Sequence, residues 1–188
     1  MDKNKELFLE IVKKYNVCSD DLLEFLETSG FYNAPASTST NLHNAFDGGL
    51  VNHLIIVARR MLIINEANAK LDQLDRCEPE SVVKVAILHG IGRAMLYIPN
   101  QSEWHKKNLG TMYVFNEKLT SMSVGERSLY YVYNYGKMQL TEEEHQAILN
   151  AEKNNPDDMG VKWYSTPLSD LIRDQLKWAI RTEKRKTT

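Results

Sequence analysis

The chain has 188 residues, of which 43% are hydrophobic and 26% charged, and its formal net charge is −2. This length and composition predict one globular domain over residues 1–188, with a core of about 22–180. The small net charge argues against a dedicated duplex-DNA binder and gives no strong nucleic-acid signal, and no apolar run approaches the roughly 18 residues of a membrane span.

The first half of the chain carries helical patterns. Leu7, Ile11 and Tyr15 recur at helical spacing and predict a first helix over 3–15. Ser19 is a favourable N-cap for a short second helix that ends near Gly30. A third helix is expected from 50 to about 69, after a glycine pair, and a fourth, strongly apolar helix over 79–89.

The second half contains one segment that is less helical. Aromatic and β-branched residues around 103–116 predict a small β-hairpin. Two capping boxes, Ser123 with Glu126 and Thr141 with Glu144, predict the starts of two further helices. A last helix is expected from Pro167. The predicted fold class is therefore all-α, a helical bundle with one small hairpin.

Three polar residues interrupt otherwise apolar helical patterns. His53 lies in the stripe of the third helix, His89 ends the fourth, and Asp174 lies on the last helix. Each alone is explained by a hydrogen-bonded core residue or, for Asp174, by a solvated helix face. Together they suit a divalent metal ion that acts on phosphate, because imidazole and carboxylate are its usual ligands.

The order of several segments resembles the HD-domain metal-dependent phosphohydrolases, particularly the small versions found in phages and gut bacteria. The resemblance covers residues 22–178 and depends on shared order and spacing. The segments that carry it are 25–38, 43–53, 86–93, 124–128, 140–148 and 167–174. It implies an HD-like helical bundle.

The resemblance also implies a metal site that is degenerate here. His53 matches the family's first ligand, His89 matches the His of its His-Asp pair, and Asp174 matches the Asp of the last helix. Gly90 stands where the paired Asp is expected. Val124 and Ala151 stand where the family has further ligand histidines. His43 matches a histidine often found upstream of the glycine pair, and together with Gly90, Val124 and Ala151 it is expected to line the pocket.

Loss of these ligands changes the expected function. Two-metal hydrolysis needs a bridging carboxylate, and without it a second ion has no evident ligands. The sequence therefore favours a pseudoenzyme that binds a nucleotide, another phosphate-containing small molecule or a protein partner, with Arg93 and Arg127 as phosphate-binding candidates. The alternative is a weak one-metal phosphohydrolase using manganese, iron or magnesium at His53, His89 and Asp174. Either no cofactor or one weakly bound divalent metal is thus expected.

The remaining patterns concern cellular context and assembly. Cys18 and Cys77 are far apart and form no CxxC motif, so neither a disulfide framework nor a zinc motif is predicted. The charged N-terminus begins an amphipathic helix and does not resemble a signal peptide. A cytoplasmic location is expected, in the host cytoplasm if the protein is phage-encoded. A homo-oligomeric structural role is a third functional possibility.

Overall fold

The computed structural model describes residues 3–71, 76–153 and 165–186. In its first half, α1 (Lys3–Lys14), α2 (Asp20–Thr28), α3 (Gly49–Leu71) and α4 (Pro79–Leu88) follow one another, with short 3-10 turns at Phe31–Asn33 and Ile91–Arg93. The predicted all-α class is confirmed. The Ser19 hydroxyl accepts a hydrogen bond from the Leu22 amide and so caps α2, as its sequence position indicates.

The second half contains the predicted two-stranded sheet and the remaining helices. Strands β1 (Tyr97–Pro99) and β2 (Tyr113–Phe115) pair antiparallel. The first strand begins earlier than the segment 103–116, and much of that segment is α5 (Glu103–Leu109), because Ser102 caps a helix there. The other helices are α6 (Val124–Asn134), α7 (Glu142–Asn150) and α8 (Pro167–Lys186).

Both predicted capping boxes are present. The Ser123 hydroxyl accepts from the Glu126 amide while the Glu126 carboxylate accepts from the Ser123 amide, and Thr141 and Glu144 repeat this arrangement at α7. Two amides at each helix start, which have no partner within the helix, are satisfied in this way. These local bonds set where α6 and α7 begin.

Helix α4 is the centre of the bundle. Its residues from Val82 to Leu88, apart from Lys84, are completely buried, so it contacts other elements on nearly all sides. It packs against α3, α6, α7 and α8, and α3 also packs against α8. The continuous core extends from Phe8 in α1 to Ala179 in α8. Because the ends of α3, α4 and α8 meet, side chains from distant sequence positions are brought together.

Among the described residues, no helix is both long and apolar enough to cross a membrane.

Candidate functional site

Three buried histidines lie next to one another inside the bundle. His43 comes from the loop before α3, His53 from the first turns of α3, and His89 from the end of α4. The ring centroids of His43 and His53 are 4.9 Å apart, and those of His53 and His89 are 6.0 Å apart. His53 and His89 are fully buried and His43 is 8% exposed. With Glu183, described below, these residues form what we call the histidine cluster.

The loop that carries His43 is fixed against the start of α3. The Ser37 hydroxyl donates to the His43 carbonyl at 2.6 Å, and the Ala36 amide donates to the Asn44 carbonyl at 3.0 Å. Gly49 permits this close packing, because a Cβ at this position would lie 2.1 Å from the Asn44 carbonyl oxygen. The glycine that opens α3 is therefore needed to hold His43 beside His53.

Glu183, in the last turns of α8, orients His53. The Nδ1 atom of His53 lies 2.9 and 3.0 Å from the two carboxylate oxygens of Glu183, and both side chains are almost completely buried. A carboxylate accepts hydrogen bonds, so Nδ1 of the neutral imidazole carries the proton and Nε2 carries the lone pair. A carboxylate behind an imidazole in this way is the arrangement that orients histidine ligands in metal sites.

His89 is held in the same tautomer by the backbone. Its Nδ1 donates to the carbonyl of Ala86, one helical turn earlier, at 2.9 Å. The Ser128 hydroxyl of α6 donates to the His89 carbonyl and accepts from the Gly92 amide, each at 2.9 Å. These bonds fasten the turn after α4 to α6, and they fix both the His89 ring and the start of the segment that carries Arg93.

The Nε2 atoms of all three histidines are buried without a hydrogen-bond partner in the described part of the chain. Burial lowers the pKa of each of His43, His53 and His89 to about 3, so the three rings are neutral at pH 7. A buried acceptor that lacks a partner is uncommon in proteins and calls for an explanation, such as an ion or ligand. Nitrogen or oxygen atoms of His43, His53 and Glu183 lie within 4.8 Å of one another, so these residues could hold a metal ion.

A cavity with a volume of about 430 Å³ lies beside the cluster, and we call it the arginine cavity because Arg93 and Arg127 line it. The two arginines are only 7% and 5% exposed. The Arg93 guanidinium lies 2.5 Å from a Glu152 carboxylate oxygen, and Nη2 of Arg127 donates to the Thr120 carbonyl at 2.5 Å. The rest of the wall includes Leu96, Tyr97, Phe115, Met122, Ser121 and Ser123.

Of the two arginines that line the cavity, only Arg93 forms a salt bridge within the described residues. Although burial opposes ionisation, the Arg93 guanidinium holds the pKa of Glu152 below its usual range, so this pair is ionised. Within the described residues, no carboxylate forms a salt bridge with Arg127, and the neighbouring Glu126 is engaged by the Ser123 amide instead. The Nε atoms of both arginines have no hydrogen-bond partner in the described structure. Two positively charged side chains therefore line the cavity, and one of them has no carboxylate partner in the described part of the chain.

Gly90 lies where side chains already fill the available space. A Cβ built on it would be 2.8 Å from Cδ2 of Leu54, and 3.7 Å from both Cδ1 of Leu50 and Nη1 of Arg93. A carboxylate here would meet the Arg93 guanidinium. Val124 lines the arginine cavity at the start of α6, and Ala151 is buried just after α7. At Gly90, Val124 and Ala151, where the resemblance predicts metal ligands, the chain therefore has small or apolar residues. The Arg93 guanidinium lies close to the first of these positions.

Asp174 lies apart from the histidine cluster. It is exposed on α8, on the same face as Asp170 and Trp178, which are also exposed. It precedes Glu183 by nine residues, or about 13 Å along the helix axis, and points to the opposite side. The carboxylate that α8 brings to His53 is therefore Glu183. The sequence pattern that could have indicated Glu183 is its helical spacing, because it lies four residues after Ala179 and continues the buried stripe of Ile172, Leu176 and Ala179.

No protein-family model, no curated protein and no solved structure matches this chain.

Proposed function

We propose that this protein is a relative of the HD-domain phosphohydrolases that no longer performs two-metal hydrolysis and instead binds a small phosphate-containing ligand, such as a nucleotide, in the arginine cavity. The observation that carries this proposal is that two buried arginines line one cavity, and Arg127 has no salt bridge with a carboxylate in the described part of the chain. Phosphate oxygens are acceptors of the charge and geometry that guanidinium groups favour.

The other cavity walls suit the remainder of such a ligand. Tyr97 and Phe115 offer aromatic surface, and the hydroxyl groups of Ser121 and Ser123 offer further hydrogen bonds near the start of α6. A volume of about 430 Å³ is within the range of small-ligand sites. The packing around Gly90 supports the loss of two-metal chemistry, because Leu54 and Arg93 lie where a bridging carboxylate on this residue would have to be.

A one-metal phosphohydrolase is the second candidate. The observation that favours it is the histidine cluster, which lies beside the arginine cavity and contains three neutral imidazoles. In that case the cavity would hold the phosphate and the cluster would hold the ion. The pseudoenzyme and the one-metal phosphohydrolase would both bind phosphate in the cavity, but only the phosphohydrolase would hydrolyse the ligand.

Titration calorimetry with inorganic phosphate and a panel of nucleoside mono- and diphosphates tests the binding step. We expect Arg127→Gln to weaken the best ligand about 10-fold or more, because a charge-assisted bond is lost. Arg59→Gln, which removes an exposed arginine on α3, is the matched control and should leave the affinity unchanged. If no phosphate compound binds, or if both variants behave alike, the proposal fails.

Phosphate release in the presence of manganese separates the two candidates. The pseudoenzyme requires binding without turnover. Metal-dependent turnover that is lost in His53→Ala, but retained in His105→Ala on the exposed surface of α5, would instead establish the hydrolase.

A further inference from the structure

A second cavity adjoins the arginine cavity. Its volume is about 400 Å³, and Tyr97 and Asn116 line both cavities. Its walls come from the end of α2 and the turn that follows, from the loop before α3, and from the hairpin. This volume is within the range of small-ligand sites. The proposed phosphate site therefore has a neighbouring space for the rest of the ligand.

One face of the hairpin runs along both cavities. In the antiparallel register, Tyr97 lies opposite Phe115 and Pro99 lies opposite Tyr113, so these four side chains share a face. Tyr97 and Phe115 line the arginine cavity, whereas Pro99 and Tyr113 line the second cavity. The two cross-strand pairs are two residues apart, or about 7 Å along the strands. A ligand of nucleotide length can therefore lie across this face with its phosphate at the arginines.

The two cavities differ in charge. Arg93 and Arg127 line the first cavity. Of the described residues that line the second, Asp47 is the only one with a carboxylate, and none is a lysine, arginine or histidine. The Tyr113 hydroxyl donates to Oδ1 of Asp47 at 2.7 Å and so positions this carboxylate, whose two oxygens have further acceptor sites. The second cavity therefore favours a group that donates hydrogen bonds, whereas the first favours an acceptor such as phosphate.

Among the common nucleobases, guanine has the edge that a carboxylate fits best. Its ring N–H and its amino group are adjacent donors, so one carboxylate accepts from both. Adenine and cytosine have an amino donor next to a ring nitrogen acceptor, and uracil has one N–H between two carbonyls. Each of these bases thus places an acceptor against the carboxylate. Pro35, Met95 and Ile98 add apolar surface for the faces of a flat base.

We propose that the phosphate-containing ligand is a guanine nucleotide. Its phosphate lies in the arginine cavity and its base lies in the second cavity, where Asp47 accepts from the ring N–H and the amino group. This inference rests on the proposed phosphate binding and adds the identity of the base. Tyr113 is a positioning residue for Asp47, and Tyr97 contacts the middle of the ligand, because it lines both cavities.

Titration calorimetry of the full chain tests the base assignment. The ligands are the monophosphates of guanosine, inosine, adenosine and xanthosine, with ribose 5-phosphate as the probe that lacks a base. We expect the guanosine compound to bind at least about 10-fold more tightly than the adenosine compound. Inosine monophosphate, which lacks the amino group on the same ring, should lie between them.

Asp47→Asn is the decisive variant. It should weaken guanosine monophosphate about 10-fold and leave ribose 5-phosphate unchanged, because only the contact with the base is lost. It should also strengthen xanthosine monophosphate several-fold, since xanthine has a carbonyl oxygen in place of the amino group and accepts from the introduced amide. Asp174→Asn, at an exposed position on α8, is the matched control and should bind every compound as the wild-type protein does.

Circular dichroism establishes that each variant is folded. If ribose 5-phosphate binds and Arg127→Gln weakens it, but the guanosine and adenosine compounds bind equally, the base assignment is overturned while phosphate binding stands. Equal weakening of ribose 5-phosphate and guanosine monophosphate by Asp47→Asn assigns Asp47 to the sugar and also overturns it. If none of the compounds binds, both proposals fail.

Discussion

Acid should destabilise this protein through its buried neutral histidines, and His89 allows the effect to be isolated. Its ring is fully buried, and burial together with the neighbouring His53 lowers its pKa to about 3. In the unfolded chain the same group has a pKa of about 6.5. Between these values the unfolded state holds a proton that the folded state does not. The free energy of unfolding therefore decreases as the pH falls from about 6.5 towards 3.

The magnitude follows from the two pKa values. At most, one such histidine changes the free energy of unfolding by about 1.4 kcal/mol per pH unit. Integrated from pH 7 to pH 5, the contribution of His89 is about 2 kcal/mol. Replacing it with glutamine removes this titration. The variant should lose about 2 kcal/mol less stability than the wild-type protein over the same pH interval.

Urea denaturation at a series of pH values, with chelator present so that metal binding does not contribute, measures the difference. His105→Gln, the same substitution at an exposed position on α5, is measured beside it as the control. If the wild-type protein and His89→Gln show the same loss between pH 7 and 5, then His89 is not held neutral by its surroundings. The tautomer assignment of the site would then be wrong.

Three further substitutions test individual contacts. Glu144→Ala removes the carboxylate that pairs with Lys84 and accepts from the Ser81 hydroxyl, and it should lower the free energy of unfolding by about 3 kcal/mol in urea titrations. A change below about 1 kcal/mol would show that these contacts contribute little to stability. Gly49→Ala places a methyl group against the Asn44 carbonyl and should cost about 1–3 kcal/mol, again by urea titration; wild-type stability would contradict the close packing. Glu152→Gln frees Arg93 and should tighten phosphate binding up to about 5-fold by calorimetry; weaker binding would refute this.

The sequence predicted the elements because their signals are local. Capping boxes at Ser123 and Thr141 and the N-cap at Ser19 act over three or four residues, so the starts of α2, α6 and α7 could be located from residue order alone. The start of the sheet was harder to predict, because Tyr97 pairs with Phe115 and the two are separated in sequence by α5. Such pairing depends on contacts that no short window contains.

The site was predictable in its histidines but not in its carboxylate. His53 and His89 stood out because each is polar within an apolar helical pattern. The sequence resemblance predicts Asp174 as the acidic ligand of the last helix, whereas the structure has Glu183 on the buried stripe of α8, near the end of that helix. Which of the two meets His53 depends on how α8 lies against α3. That packing is a tertiary property and leaves only a weak periodic signal in the sequence.

The histidine cluster is a costly way to fill the centre of a helical bundle. Each buried Nε2 atom without a partner reduces stability by about 1–3 kcal/mol, and apolar side chains of similar volume would not incur this cost. The neighbouring positions Gly90, Val124 and Ala151 show that this bundle accommodates small or apolar residues at the same place. Retaining three imidazoles and a buried carboxylate beside them is therefore not explained by packing.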